Sequence, residues 1–90
     1  MTDVRDNPGQ SRFELDEQGM TAVADYRRHG DTLLITHVES PVALRGQGTA
    51  GRLMSGLLDQ VRERGLKVQP ICSYAVAYMR RNPGYEDLRA

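Results

Sequence analysis

The segment Leu44-Arg45-Gly46-Gln47-Gly48-Thr49-Ala50-Gly51 sets glycines and an arginine directly ahead of a run with helical periodicity. A turn built this way aims several backbone N–H groups at one point, and the start of a helix adds partial positive charge. The chemistry it suits is capture of an anion, above all a phosphate or pyrophosphate. Arg45 strengthens the case, because a guanidinium can meet two phosphate oxygens at once. The lone cysteine, Cys72, is the second residue able to do chemistry. It falls where a short strand gives way to a helix, and a helix N-terminus stabilises a thiolate. A small buried hydrophobe is the commoner fate of such a residue.

Two familiar glycine patterns do not account for the turn. Gly46-x-Gly48-x-x-Gly51 matches the dinucleotide fingerprint letter for letter. That fingerprint needs a strand leading straight into its first glycine and a carboxylate about 20 residues further on. Here Pro41-Val42-Ala43-Leu44 intervenes, and the later position falls near Pro70-Ile71-Cys72. A phosphate loop of the Lys-Ser or Lys-Thr kind fails because neither pair follows the glycines.

The elements that must position these residues follow from periodicity. Ala50, Leu53, Met54, Leu57, Leu58 and Val61 recur at helical spacing, which predicts a helix running from the turn to a C-cap at Gly65. Upstream, Phe13 and Leu15 alternate with polar neighbours. Met20, Ala22, Ala24 and Tyr26 form one face of a second strand after Gln18-Gly19, and Leu33, Ile35 and His37 one face of a third after Gly30-Asp31. The pattern is a three-stranded antiparallel meander, with His37 on the buried face. A short strand from Leu66 to Gln69 and a second helix over about Ser73 to Arg81 complete the chain, with Ser73 as N-cap. A helix joining the third and fourth strands makes them parallel neighbours. The fold class is therefore α/β (α+β). Ile71, Tyr74, Ala75, Tyr78 and Met79 read as a core stripe, and Tyr85 is expected against the sheet. Residues 1–11 read as a loose polar tail and residues 12–90 as a single domain.

Arg45-x-x-Gly48-x-Ala50 resembles the acetyl-CoA pyrophosphate motif of the GCN5-related N-acetyltransferases. The resemblance extends through His37, Glu39 and Pro41 before the helix, and through Arg64-Gly65-Leu66-Lys67-Val68, Pro70, Cys72-Ser73-Tyr74, Tyr78, Arg80-Arg81, Pro83 and Tyr85 after it. It is to the compact single-domain branch of that superfamily. The resemblance implies acetyl transfer from acetyl-CoA to an unidentified amine, on a protein, peptide or small molecule. It also implies that the parallel strands splay apart, so that backbone at Val38, Glu39 and Ser40 pairs with the pantetheine arm. Leu44, Arg45, Gly46, Gln47, Gly48, Thr49 and Ala50 would then hold the pyrophosphate. In such a reaction the amine loses a proton, an oxyanion is stabilised and a thiolate departs. Glu39 is the candidate base, or a rim carboxylate that sets charge preference. Cys72 is expected beside the thioester, with direct transfer favoured over an acetyl-cysteine. Tyr78 resembles the superfamily's general acid, though core packing explains it equally. The chain departs from the branch at Asn82, where a histidine is usual, and at Val38-Glu39-Ser40, where Thr-Glu-Val is. Segments that build the acceptor pocket in larger members are missing, which motivates an alternative: a non-catalytic acyl-CoA-binding module acting with a protein partner.

Composition limits the remaining choices. The 90 residues carry 12 basic and 12 acidic side chains, so no net charge argues for nucleic acid or an anionic membrane. One cysteine excludes an internal disulfide and offers no metal cluster. With no apolar run of membrane-spanning length and no hydrophobic leader, a cytoplasmic location is expected.

Overall fold

The computed structural model describes residues 3–90; Met1 and Thr2, at the start of the expected tail, lie outside them. Five strands, β1 (Arg5–Asn7), β2 (Arg12–Glu17), β3 (Met20–His29), β4 (Thr32–Glu39) and β5 (Lys67–Pro70), lie side by side in chain order. The first three pairings are antiparallel and β4–β5 is parallel. The expected meander and parallel fourth partner are thus β2 to β5. One strand was not anticipated: Arg5–Asn7 pairs with Arg12–Glu14, and Val4 ahead of it is buried in the core. Buried contact with the sheet, rather than local composition, orders this part of the presumed tail.

The alternating side chains sort by face. Phe13, Leu15, Ala22, Ala24, Tyr26, Leu33, Ile35 and Val68 form one buried apolar surface. Helices α1 (Thr49–Glu63) and α2 (Ser73–Arg81) pack on it. The α1 stripe lands as its period requires, with Leu53, Met54, Leu57, Leu58 and Val61 essentially inaccessible. Gly65 and Leu66 close α1 by donating to the carbonyls of Arg62 and Val61, the paired bonds of a Schellman end.

Two departures from simple periodicity matter for the site. Tyr26 pairs with Ile35 but Asp25 pairs with His37, so Thr36 is an extra residue in β4. Its hydroxyl donates to the Asp25 carbonyl at 3.3 Å. A bulge of this kind reverses the alternation. His37 therefore points outward, 56% exposed, and Val38 turns toward the core, correcting the buried histidine expected from spacing. In α2 only Ala75 and Met79 are buried, while Tyr74, and Ile71 just ahead of the helix, are exposed. Tyr85 lies in a 3₁₀ segment, Pro83–Leu88, and packs on α1 rather than on the sheet: its hydroxyl meets Ser55 at 3.1 Å and Asp59 at 3.2 Å.

Candidate functional site

The glycine turn is an exposed, positively oriented cradle. A 3₁₀ turn at Val42–Leu44 anchors it through fully buried Leu44. Gly46 and Gly48 both have φ of 80°, the left-handed region that glycine enters without strain. Gly48 is the N-cap of α1 and supplies no side chain to cap it. Among the described residues, no hydrogen-bond partner meets the N–H groups of Gly46, Gly48, Thr49, Ala50 or Gly51. Four unanswered donors are intrinsic to a helix start, and here the residues that carry them line a cavity of about 220 Å³. Ser40, Leu44, Arg45 and Tyr74 complete its wall. The Ser40 hydroxyl is buried and has no hydrogen-bond partner among the described residues, an exception to the usual pairing of buried polar atoms.

The turn is braced from the β2–β3 hairpin. Glu17 accepts from Thr49 Oγ1 at 2.6 Å and from Arg52 Nε and Nη2 at 2.7 and 2.8 Å. Arg52 Nη2 also donates to the Gln47 carbonyl, and Gln18 donates to the Gln47 side chain. The Arg52 guanidinium, then the Thr49 hydroxyl, hold the Glu17 carboxyl down at about 2 against an ordinary 4.5. Neither Glu17 nor Arg52 stands out in sequence, because the pair is separated by 35 residues and only folding brings it together.

Strands β4 and β5 part at Ile35. Its carbonyl accepts from both Ile71 N–H (2.9 Å) and Cys72 N–H (3.2 Å). Beyond it Thr36–Glu39 pairs with β3 alone, so Val38 and Glu39 lie on a strand with one unpaired edge. Cys72 therefore stands at the apex of the divergence. It, not Ser73, is the N-cap of α2, and its Sγ accepts from Ala75 N–H at 3.4 Å. Glu39, 66% exposed, projects from the outward sheet face with its Oε1 3.0 Å from His37 Nε2.

The tyrosines divide the expectations differently. Tyr78 sits between Tyr74 and Tyr85, with ring centroids 6.4 Å away on each side, and burial raises its hydroxyl above the ordinary phenol range. Tyr74, expected in the core, instead lines the glycine-turn cavity and is likewise raised by burial. Arg45, Arg80 and Arg81 are exposed. The structure thus gathers Ser40, Leu44, Arg45, Gly46, Gly48, Thr49 and Ala50 around one cavity, and puts Val38, Glu39 and Cys72 along the strand divergence. Gln47 braces the turn from outside that cavity. No group of His, Cys, Asp and Glu suited to a metal occurs among the described residues.

A glycine turn that opens a helix, beside a parallel strand pair that splays open, gives an α/β site of the arrangement that the resemblance implies. The family model of GCN5-related N-acetyl-transferases matches residues 12–88, and the chain belongs to that family. A solution NMR structure from Staphylococcus aureus, titled a "GCN5-like putative N-acetyltransferase", is similar with a TM-score of 0.69 at 20% identity. The match covers 98% of this chain and 87% of that one, and it shows the shared fold. A comparison with curated proteins returns no match.

Proposed function

We propose that the protein is an acetyl-CoA-dependent N-acetyltransferase made of one minimal domain, residues 12–90 together with the β1 segment that pairs with it, working in the cytoplasm on an amine not yet identified. The observation that carries the proposal is the continuity between two features. The unanswered N–H groups belong to Gly46 and Gly48–Gly51, which line one cavity with Ser40, and Ser40 directly follows the one-sided edge of β4. A ligand with a pyrophosphate at one end and an amide-bearing arm at the other needs that combination. Arg45 and the turn amides would hold the pyrophosphate, while the edge at Val38 and Glu39 would pair with the arm. Acetyl-CoA would supply a thioester: the amine nitrogen bonds to the acetyl carbon, the C–S bond breaks, and the amine's proton is removed as sulfur gains one.

The chain's own groups serve that balance. The His37–Glu39 pair provides the acceptor for the amine proton, with Glu39 as base and His37 holding its carboxylate. At the N-terminus of α2 the amides of Ser73 and Tyr74, uncommitted among the described residues, would face the developing negative charge beside Cys72. Tyr78 remains the candidate acid, and Tyr74 is the tyrosine at the turn cavity itself.

One observation favours the non-catalytic reading. Cys72 Sγ is already engaged as a helix cap and Tyr78 is packed between two rings, so each has a structural task. Calorimetric titration with acetyl-CoA, coenzyme A, ATP and NAD, followed by free-thiol release with a panel of amines, separates the readings. Selective acetyl-CoA binding with thiol release is the expected result. Binding without release selects the carrier module, and binding of none of the four removes the cofactor assignment.

A further inference from the structure

The sheet face opposite the helices carries an ordered ladder of charge. Cross-strand register places Arg5, Glu14, Val23 and Glu39 in one row and Asn7, Arg12, Asp25 and His37 in the next. Glu14 is only 6% exposed although it sits on this outer face. Three donors answer it: Arg12 Nε at 2.6 Å, Arg5 Nε at 2.8 Å and Asn7 Nδ2 at 3.2 Å. Arg12, foremost among them, holds its carboxyl below the ordinary range. The terminal nitrogens of Arg5 are taken by Asp16. Those of Arg12 have no partner among the described residues, which leaves one outward guanidinium edge uncommitted.

Arg12 lines a groove of about 550 Å³, together with Val23, Glu39 and Pro41. Cationic and anionic ends thus belong to β2 and β4, whose backbones stand about 10 Å apart across β3. The groove also abuts the donor site. Glu39 and Pro41 line it, while Ser40 between them lines the glycine-turn cavity, so three consecutive residues form the partition.

We propose that this groove is the acceptor site and that it selects amines which also carry a carboxylate, joined by an apolar spacer of a few carbons. The carboxylate meets the free edge of Arg12, the spacer lies on Val23 and Pro41, and the amine is delivered to Glu39. The proposal rests on the transferase reading for its role, but the groove's ligand preference is measurable without the cofactor.

The test is a titration of ¹⁵N-labelled protein with β-alanine, 4-aminobutyrate, 5-aminopentanoate and 6-aminohexanoate, each beside the alkylamine of matching length. The expected result is shift changes at Arg12, Val23 and Glu39 for at least one amino acid, with its alkylamine at least about tenfold weaker. Arg12→Ala abolishes that preference and Arg12→Lys keeps part of it, while the spectrum itself reports folding. Because Arg5 and Asn7 still answer Glu14, the fold survives; were it lost, the comparison of ligands on the unmutated protein stands alone. Equal affinity for amino acids and alkylamines, or shifts outside the groove, overturns the proposal. Acetyl-CoA titrated into the same samples should move Gly46–Gly51 equally with and without Arg12. Loss of that response with the groove response intact overturns the cofactor reading and leaves the groove's specificity standing.

Discussion

Two residues decide whether the site is a binder or a catalyst. At Gly48 a Cβ would lie 3.0 Å from Arg52 Nη1 on a backbone with positive φ. Gly48→Val should cost about 1–2 kcal/mol of stability and abolish acetyl-CoA binding by calorimetry; unchanged affinity would sink the anion-cradle assignment. At Cys72 the cap and the chemistry can be separated. Cys72→Ala removes the acceptor for Ala75 N–H, which should cost about 0.5–1 kcal/mol, and should strongly lower thiol release. Cys72→Ser restores a capping oxygen without restoring sulfur. Turnover that returns with serine would reduce Cys72 to a helix cap. Position in the sequence marked both residues, since glycines before an apolar stripe and a cysteine after a strand are local signals. The tyrosines were not separable that way: Tyr74 and Tyr78 share one helical stripe, and only the approach of α2 to Gly51 of α1 turns Tyr74 to the cavity.

At the scale of elements, the hairpin between β2 and β3 controls the turn. Glu17 titrates at about 2 when folded and nearer 4.5 when unfolded, so the fold favours its ionised form. That contribution is complete above about pH 4.5 and is lost as pH falls toward 2. The Glu17 carboxyl carbon, followed by NMR, should therefore show a midpoint near 2. Arg52→Ala should move it up toward the ordinary value and weaken acetyl-CoA binding roughly tenfold. An unmoved midpoint would mean that the brace is not electrostatic. Helix and strand identities were legible because α1 keeps its period and β2 and β3 keep their alternation. The placement of His37 was not, because one extra residue, Thr36, reverses the faces of everything after it in β4. A bulge depends on how two strands meet and leaves no mark in the alternation of either one alone.

At the scale of the molecule, one core supports everything. A folded chain of 90 residues has about 5–13 kcal/mol of stability, so its edges count. Val4, 6% exposed, belongs to that core although it precedes β1. Val4→Ala should cost about 2 kcal/mol and lower Tm by roughly 10 °C in a thermal melt. A melt unchanged by the substitution would return these residues to the status of a tail. Composition alone pointed to a tail because Pro8, Gly9 and the surrounding polar residues resemble a linker, and the ordering contacts come from elements distant in sequence.

The one-sided edge of β4 has a consequence for solution behaviour as well as for recognition. A row of backbone donors and acceptors without a neighbouring strand is a template on which another chain can build. The β1 edge is guarded by Arg5 and its ion pairs, and the outer side of β5 is bridged by Arg89. Thr36–Glu39 has neither protection. Whatever occupies the divergence also shields the chain from its copies. On the proposed reading that coenzyme A occupies the divergence, protein concentrated without it should scatter light and self-associate sooner than protein concentrated with it.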